Sequence, residues 1–304
     1  KASWEEWLGE LVQDLSGATV GSVLLLTPSV VSPLTKSLLQ QVISRYPAIK
    51  HVVMDHQSVS GILEANEASF GLAAIPSLRF DKAKVILGIG ADFLGNWVSP
   101  TEFTRLWSSG RRPSKESPVM SRHIQFETIL SLTGSNADAR YTYRASQEAL
   151  VVANLYNAVA KLVGRSPLDA PALELAGNAI GQTAKELWAA RGSSLVVCGS
   201  NVPEVQLLVN GINDMLGNYG STLDWSSPWQ VMQGRDSQVS QALSDLQSGQ
   251  YKAVIINQVN PVYASAQGAS WAKALKGVRC YGFSLRRNES TALCRGFAIQ
   301  SCHV

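Results

Sequence analysis

Lys82-Ala83-Lys84-Val85-Ile86-Leu87-Gly88-Ile89 and Lys252-Ala253-Val254-Ile255-Ile256-Asn257 are two apolar runs of matching pattern in a chain of 304 residues. Each reads as a strand buried on both faces, the mark of a parallel sheet covered by helices. Each leads into a polar turn, Gly90-Ala91-Asp92-Phe93 in the first and Val259-Asn260-Pro261-Val262 in the second, then into a helical pattern and another strand. The two units span Lys82–Ile129 and Lys252–Phe283, and each closes on a Thr-bearing segment, Glu127-Thr128 and Glu289-Ser290-Thr291. The expected fold is α/β, with two Rossmann-like parallel-sheet units carrying helices on both faces. Both turns would then lie at the carboxyl ends of their strands. Open α/β sheets bind ligands there, because helix N-termini and free backbone N–H groups gather at that edge.

The same alternation extends outward. Ser22–Leu26 and His51–Met54 read as strands, Ser32–Arg45 and Ile62–Phe70 as helices, and Ser3 with Glu6 as a capping box at the first helix. Pro100 suits the first turn of a helix that Ser99 precedes, and His123–Leu130 reads as a strand. Ser146–Val163 reads as a long helix capped by Ser146. Gly and Pro cluster at Gly164–Pro171, which places a boundary between a first unit, 1–165, and a second, 166–304. Beyond it, Leu173–Ala190 reads as helix, Ser194–Cys198 as strand, and Asp224–Gln233 as a turn-rich tract in which Trp225 and Trp229 pack against a core or an interface.

Composition excludes several classes. Hydrophobic residues make up 45% and charged residues 16%, too apolar for disorder, and a net charge of +3 gives no footprint for nucleic acid. No apolar run reaches the roughly 18–20 residues of a spanning helix, so no membrane insertion is expected. The chain opens at Lys1 without an initiator methionine or a signal peptide and reads as a piece of a longer protein. The four cysteines, Cys198, Cys280, Cys294 and Cys302, have neither zinc nor iron–sulfur spacing. Cys198 and Cys280 read as buried thiols, while Cys294, Cys302 and His303 could approach one another. The four histidines form no catalytic pairing by motif, and Gly88-Ile89-Gly90 is too short for a dinucleotide fingerprint. The Arg111–Lys115 loop reads as a solvated surface.

Val196-Val197-Cys198-Gly199-Ser200-Asn201, with Asn213-Asp214-Met215-Leu216-Gly217-Asn218-Tyr219-Gly220 after it, resembles a segment of the molybdenum bis-molybdopterin guanine dinucleotide oxidoreductases. Asn260-Pro261-Val262-Tyr263 resembles that family's Asn-Pro turn, and Asn288-Glu289-Ser290-Thr291-Ala292-Leu293-Cys294 its Glu-Thr-Ala stretch. Ala91-Asp92-Phe93-Leu94-Gly95-Asn96-Trp97 is similar to one subgroup, the large iron–sulfur subunit of alternative complex III, as are Met120-Ser121-Arg122 and Leu132–Arg140. The resemblance implies the central α/β domains of molybdopterin oxidoreductases, within a membrane-associated quinol-oxidising complex on the periplasmic side. It implies other respiratory subunits as partners, and iron–sulfur clusters only outside this stretch.

Where this chain departs from the family, cofactor ligands are lost. Active relatives carry Gly-x-Asn-Pro where Gly90-Ala91-Asp92-Phe93 stands, and Pro-Gly-Thr-Asp where Arg144-Ala145-Ser146-Gln147 stands. No cysteine precedes Phe70 to ligate molybdenum; Asp55 and His56 lie near that place, though an aspartate ending a strand is also a turn former. The expectation is a module with no cofactor and no catalysis of its own. Asp92, Phe93, Asn201, Asn260, Glu289 and Thr291 would then mark a vestigial cleft. Two alternatives stand beside it: an active molybdenum enzyme holding molybdopterin guanine dinucleotide with Asp55 as ligand, and a binding module for a small anion or nucleotide.

Overall fold

In a computed structural model of the chain, residues 3–113, 115, 118–173, 175–294 and 296–299 are described, the last four as backbone. Cys302 and His303 lie outside the described residues. The chain forms two compact units: Lys1–Ser58 with Gln230–Val304, and Val59–Trp229. In chain order the first unit opens with α1 (Trp4–Ser16), β1 (Val23–Thr27), α2 (Pro33–Arg45) and β2 (Ile49–Val53).

The second unit follows whole. It comprises α3 (Ser60–Phe70), β3 (Ile75–Leu78), β4 (Val85–Ile89), α4 (Pro100–Ser109), β5 (Arg122–Glu127), α5 (Leu132–Ser135), β6 (Ala139–Thr142), α6 (Glu148–Val163), α7 (Ala179–Ala189), β7 (Ser194–Cys198), α8 (Pro203–Met215) and β8 (Leu223–Trp229). The chain then completes the first unit with α9 (Asp236–Gln247), β9 (Ala253–Asn257), α10 (Pro261–Ala264), α11 (Gly268–Lys276), β10 (Arg279–Ser284) and β11 (Gly296–Ile299).

The first unit holds a five-stranded sheet in the order β2-β1-β9-β10-β11, parallel throughout. Counted within the unit this is 2-1-3-4-5, whose direction of winding reverses between β1 and β9. Leu24, Leu26, Val52, Val254 and Ile256 face Trp271, Leu275 and Leu246, while Val23, Leu25, Ile49, Ile255 and Tyr281 face Leu11, Leu15 and Trp7. The second unit holds β6-β5-β4-β7, also parallel, which counts as 3-2-1-4 and reverses between β4 and β7. Every residue of β4 is buried, as expected of a strand covered on both faces. Leu87, Ile89 and Phe126 face α6 and α8 through Val152, Leu155 and Val209, while Ile86, Leu195 and Val197 face an aromatic layer of Phe80, Phe93 and Phe103.

The α/β class with parallel sheets flanked by helices is therefore the one expected, and several local readings need correction. The boundary expected at 165/166 is instead the connection between α6 and α7; the units exchange chain at Ser58/Val59 and Trp229/Gln230. The reason is strand pairing, since β9 lies beside β1, with Leu25 opposite Ile255, and no local composition records such a partner. Asp224–Gln233 is not a turn tract over its first half: β8 pairs antiparallel with β3, and Trp229 stacks on Phe103. Helix α7 starts at Ala179 rather than Leu173, because Gly177 and Asn178 take left-handed φ of 65° and 56°. Ser146 does not cap α6, which follows a short 3-10 turn at Ala145–Gln147.

Candidate functional site

The loops at the carboxyl ends of the strands carry the residues singled out by sequence, and in each unit they are built the same way. After β4, Gly90 turns at φ 60° and its N–H donates to Phe126 O (2.8 Å); after β9, Gln258 turns at φ 57° and donates to Phe283 O (2.8 Å). Two residues on, Asp92 Oδ1 accepts from Thr133 N (3.0 Å) and Thr133 Oγ1 (2.7 Å), and Thr133 Oγ1 accepts from Leu94 N (2.9 Å). In the first unit Asn260 Oδ1 accepts from Ser290 N (3.3 Å) and Ser290 Oγ (2.6 Å), and Ser290 Oγ accepts from Val262 N (3.1 Å). The two clasps share their bonding pattern. Each ties the loop after one strand to the loop after its neighbour.

This geometry moves the sequence alignment by one residue. Asp92 corresponds to Asn260, not to Pro261, and the closing residues are Thr133 and Ser290 in place of Thr128 and Thr291. Thr291 is 2% exposed and holds a tight turn, accepting from Asn288 N (2.8 Å) while its own N–H donates to Asn288 Oδ1 (2.9 Å). Glu289 is exposed and accepts from Asn260 Nδ2 (2.7 Å), a bond that holds its carboxyl below the usual range. The sequence carried a signal for the pairing: a hydroxyl stands seven residues after Phe126 and seven after Phe283, in strands that both begin with Arg.

The surroundings of the clasps differ. Phe93 is fully buried, its ring 4.5 Å from Phe80 and 5.2 Å from His123, so it lies in the aromatic layer beneath the loop. His123 is also fully buried, neither ring nitrogen meets a hydrogen-bond partner, and burial pushes its pKa down to about 4. Between β4 and β7 the sheet's reversal point is shut, because a Cβ on Gly199 would collide with Gly90 O. Asn201 stands just past β7, exposed, and its Oδ1 accepts from Gly61 N (2.9 Å) at the start of α3.

The carboxyl edge of the first unit, in contrast, carries a cleft beside β2. It encloses about 330 Å³ and is lined by Met54, Asp55 and His56 after β2, Asp236 and Val239 of α9, and Ala264–Gln267 ahead of α11, with Trp271 among its walls. Asp55 faces the cleft already engaged: Oδ1 accepts from Ser29 N (2.8 Å), and Oδ2 from Ser29 Oγ (2.7 Å), Gly234 N (3.0 Å) and Gln233 N (3.3 Å). It therefore closes the loops after β1 and β2 onto the start of the α9 segment. Among the described residues no group of three or more His, Cys, Asp or Glu is gathered to hold a metal ion, and no helix is long and apolar enough to cross a membrane.

The structure brings Asn260 and Glu289 together in one loop cluster of the first unit with Thr291 next to it, and Asp92 and Phe93 adjoin in one of the second; Asp55 is bonded to Ser29, Gln233 and Gly234, and Asn201 to Gly61. No protein-family model and no curated protein sequence matches the chain. Solved structures do match it. One is the formyltransferase/hydrolase complex (FhcABCD) from Methylorubrum extorquens, in complex with methylofuran, at 16% identity and TM-score 0.59 over 93% of this chain and 79% of that one. Another is acetylene hydratase from Pelobacter acetylenicus, at 11% identity and TM-score 0.66 over 93% of this chain and 50% of that one. At these identities the similarity extends to the fold alone.

Proposed function

We propose that this chain is a cofactor-free, molybdopterin-oxidoreductase-like module, a structural and assembly part of a membrane-associated, quinol-oxidising electron-transfer complex. The observation that carries the reading is the state of the carboxyl-end loops. Asp55, Asp92 and Asn260 all commit side-chain oxygens to hydrogen bonds with loops of their own unit. A ligand bound there would have to displace those partners, at a cost of about 1–3 kcal/mol for each buried group left unpaired.

The residues present are a poor fit to a bis-molybdopterin guanine dinucleotide. No thiolate precedes Phe70, Phe93 takes the place of a turn residue and fills the core, and Gly199 lies against the Gly90 carbonyl where a phosphate would enter. The sequence resemblance to the large subunit of alternative complex III supports the complex and the periplasmic placement. The formyltransferase/hydrolase neighbour, itself part of a complex, supports protein partners in general. The test is detergent extraction of the native membranes and purification through this chain. Co-purification with iron–sulfur and membrane subunits is expected; recovery of the chain by itself, without detergent, would overturn the reading.

The open cleft in the first unit favours a second reading, a module that binds a small anion or nucleotide. Equilibrium dialysis against a nucleotide panel separates the two. Binding tighter than millimolar at that cleft would support the second reading, and none would remove it.

A further inference from the structure

Two thiols of the first unit meet although they belong to different elements. Cys280 lies on β10, 1% exposed, in the core packed by α9 and α11. Cys294 follows the 3-10 turn Thr291–Leu293, half-buried against that same core. The Cys280 and Cys294 side chains interact, and the Cys294 thiol donates to Ser290 O at 3.6 Å. A Cβ built on Gly282 would stand 3.4 Å from the Cys294 sulfur, which places that sulfur over the face of β10. The chain after Cys294 pairs at once with β10, Gly296 opposite Tyr281. Cys280 and Gly282 present the same face of β10, so the Cys294 sulfur lies over the face that carries Cys280.

We propose that Cys280 and Cys294 are a redox-responsive pair that closes to a disulfide and fastens to β10 the segment carrying Ser290, the residue that holds the Asn260 loop. The oxidant is a disulfide, either glutathione disulfide or a disulfide-bearing oxidoreductase. Cys294, the more exposed of the two, attacks one sulfur of that disulfide as a thiolate; the S–S bond breaks and the leaving thiolate takes up a proton. Cys280 then gives up its proton and attacks the Cys294 sulfur, and the second thiol leaves. Two protein thiols and one external disulfide become one protein disulfide and two external thiols. The Cys294 contact and burial both push the Cys280 thiol pKa up, so the second step is the slower and quickens as pH rises.

The reaction is read on the purified full chain incubated with glutathione disulfide, quenched with N-ethylmaleimide, and digested with trypsin. Arg286 and Arg287 lie between the two cysteines, so cleavage there leaves Cys280–Arg286 and a peptide containing Cys294 joined only if the disulfide has formed. The crosslinked pair is expected, with a rise in Tm of roughly 5–10 °C from closing this short loop. Cys294→Ser, at a half-buried site, should lose both; Cys280→Ala should do the same; Cys302→Ser should keep both. Full alkylation of Cys280 and Cys294 after oxidation would overturn the proposal. So would Cys294 joined to Cys302 or to glutathione while Cys280 remains alkylated. A crosslink with no rise in Tm would overturn the fastening role.

Discussion

The loop after β4 and the loop after β9 hold the same three hydrogen bonds on different foundations. Asp92 and Asn260 each accept from the N–H and the hydroxyl of one residue on the neighbouring loop, and that hydroxyl accepts from the backbone two residues past each of them. Beneath the first loop lies an aromatic layer, with Phe93 fully buried against Phe80 and His123. At the second, Pro261 takes the position of Phe93, Tyr263 is 78% exposed, and Glu289 caps the clasp from solvent. The bonding pattern is thus a property of the βαβ connection, while the residues that surround it differ between the units. In the second unit the reversal point is shut by the Gly90–Gly199 contact; in the first a cleft lies beside β2.

The sharpest way to break the comparison is Phe93→Ala. Emptying a fully buried ring site should cost about 3–5 kcal/mol, read as a fall in the urea midpoint of the second unit. Pro261→Ala at the matching position should cost no more than about 1 kcal/mol. Equal losses at the two positions would show that the aromatic layer is not what distinguishes them.

Acid should separate the units next. His123 corresponds to Cys280, so the second unit carries at this position a buried imidazole that the first lacks. Unfolded His123 protonates near pH 6.5, whereas the folded chain resists protonation until about pH 4. Between those values the unfolded state binds more protons, so stability falls as pH falls, by roughly 3 kcal/mol in all, and returns as pH is raised. His51 in the first unit is shifted the same way by burial, and serves as the internal comparison. His123→Cys should flatten the acid limb of the second unit; an unchanged limb would assign the acid sensitivity elsewhere.

The clasps themselves rank third and fourth. Asp92→Ala removes charge-assisted bonds to Thr133, which is fully buried, and should cost about 1.5–3 kcal/mol. Asn260→Ala removes neutral bonds to Ser290, which is equally buried, and should cost about 1 kcal/mol. Both are read by thermal or urea unfolding, and the reverse ranking would contradict the contrast between a carboxylate and a neutral amide as the accepting group.

The paired strands could be read from the sequence because Val85–Ile89 and Ala253–Asn257 are short apolar runs whose burial needs no knowledge of partners. The helix ends were readable for the same local reason, Ser3 with Glu6 and Ser32 with Pro33 each marking a start. What could not be read depends on distant neighbours. Nothing near Leu25 states that Ile255 will lie beside it, so local composition points to the Gly-Pro cluster at 164–171 and not to residues 58 and 229. β8 was hidden because Asp224, Ser226, Ser227 and Pro228 are turn formers, and they form a strand only against β3. At the site, Asp92 and Asn260 were visible as loop residues, but their partners Thr133 and Ser290 were not, since the bonds span 41 and 30 residues.

Purified from its native source, the protein can be assayed for molybdenum and tungsten by elemental analysis and for guanine nucleotide released on denaturation. Loops already occupied by their own neighbours predict neither metal nor guanine above background in the peak that contains this chain. Stoichiometric metal together with released guanine would contradict the cofactor-free reading outright.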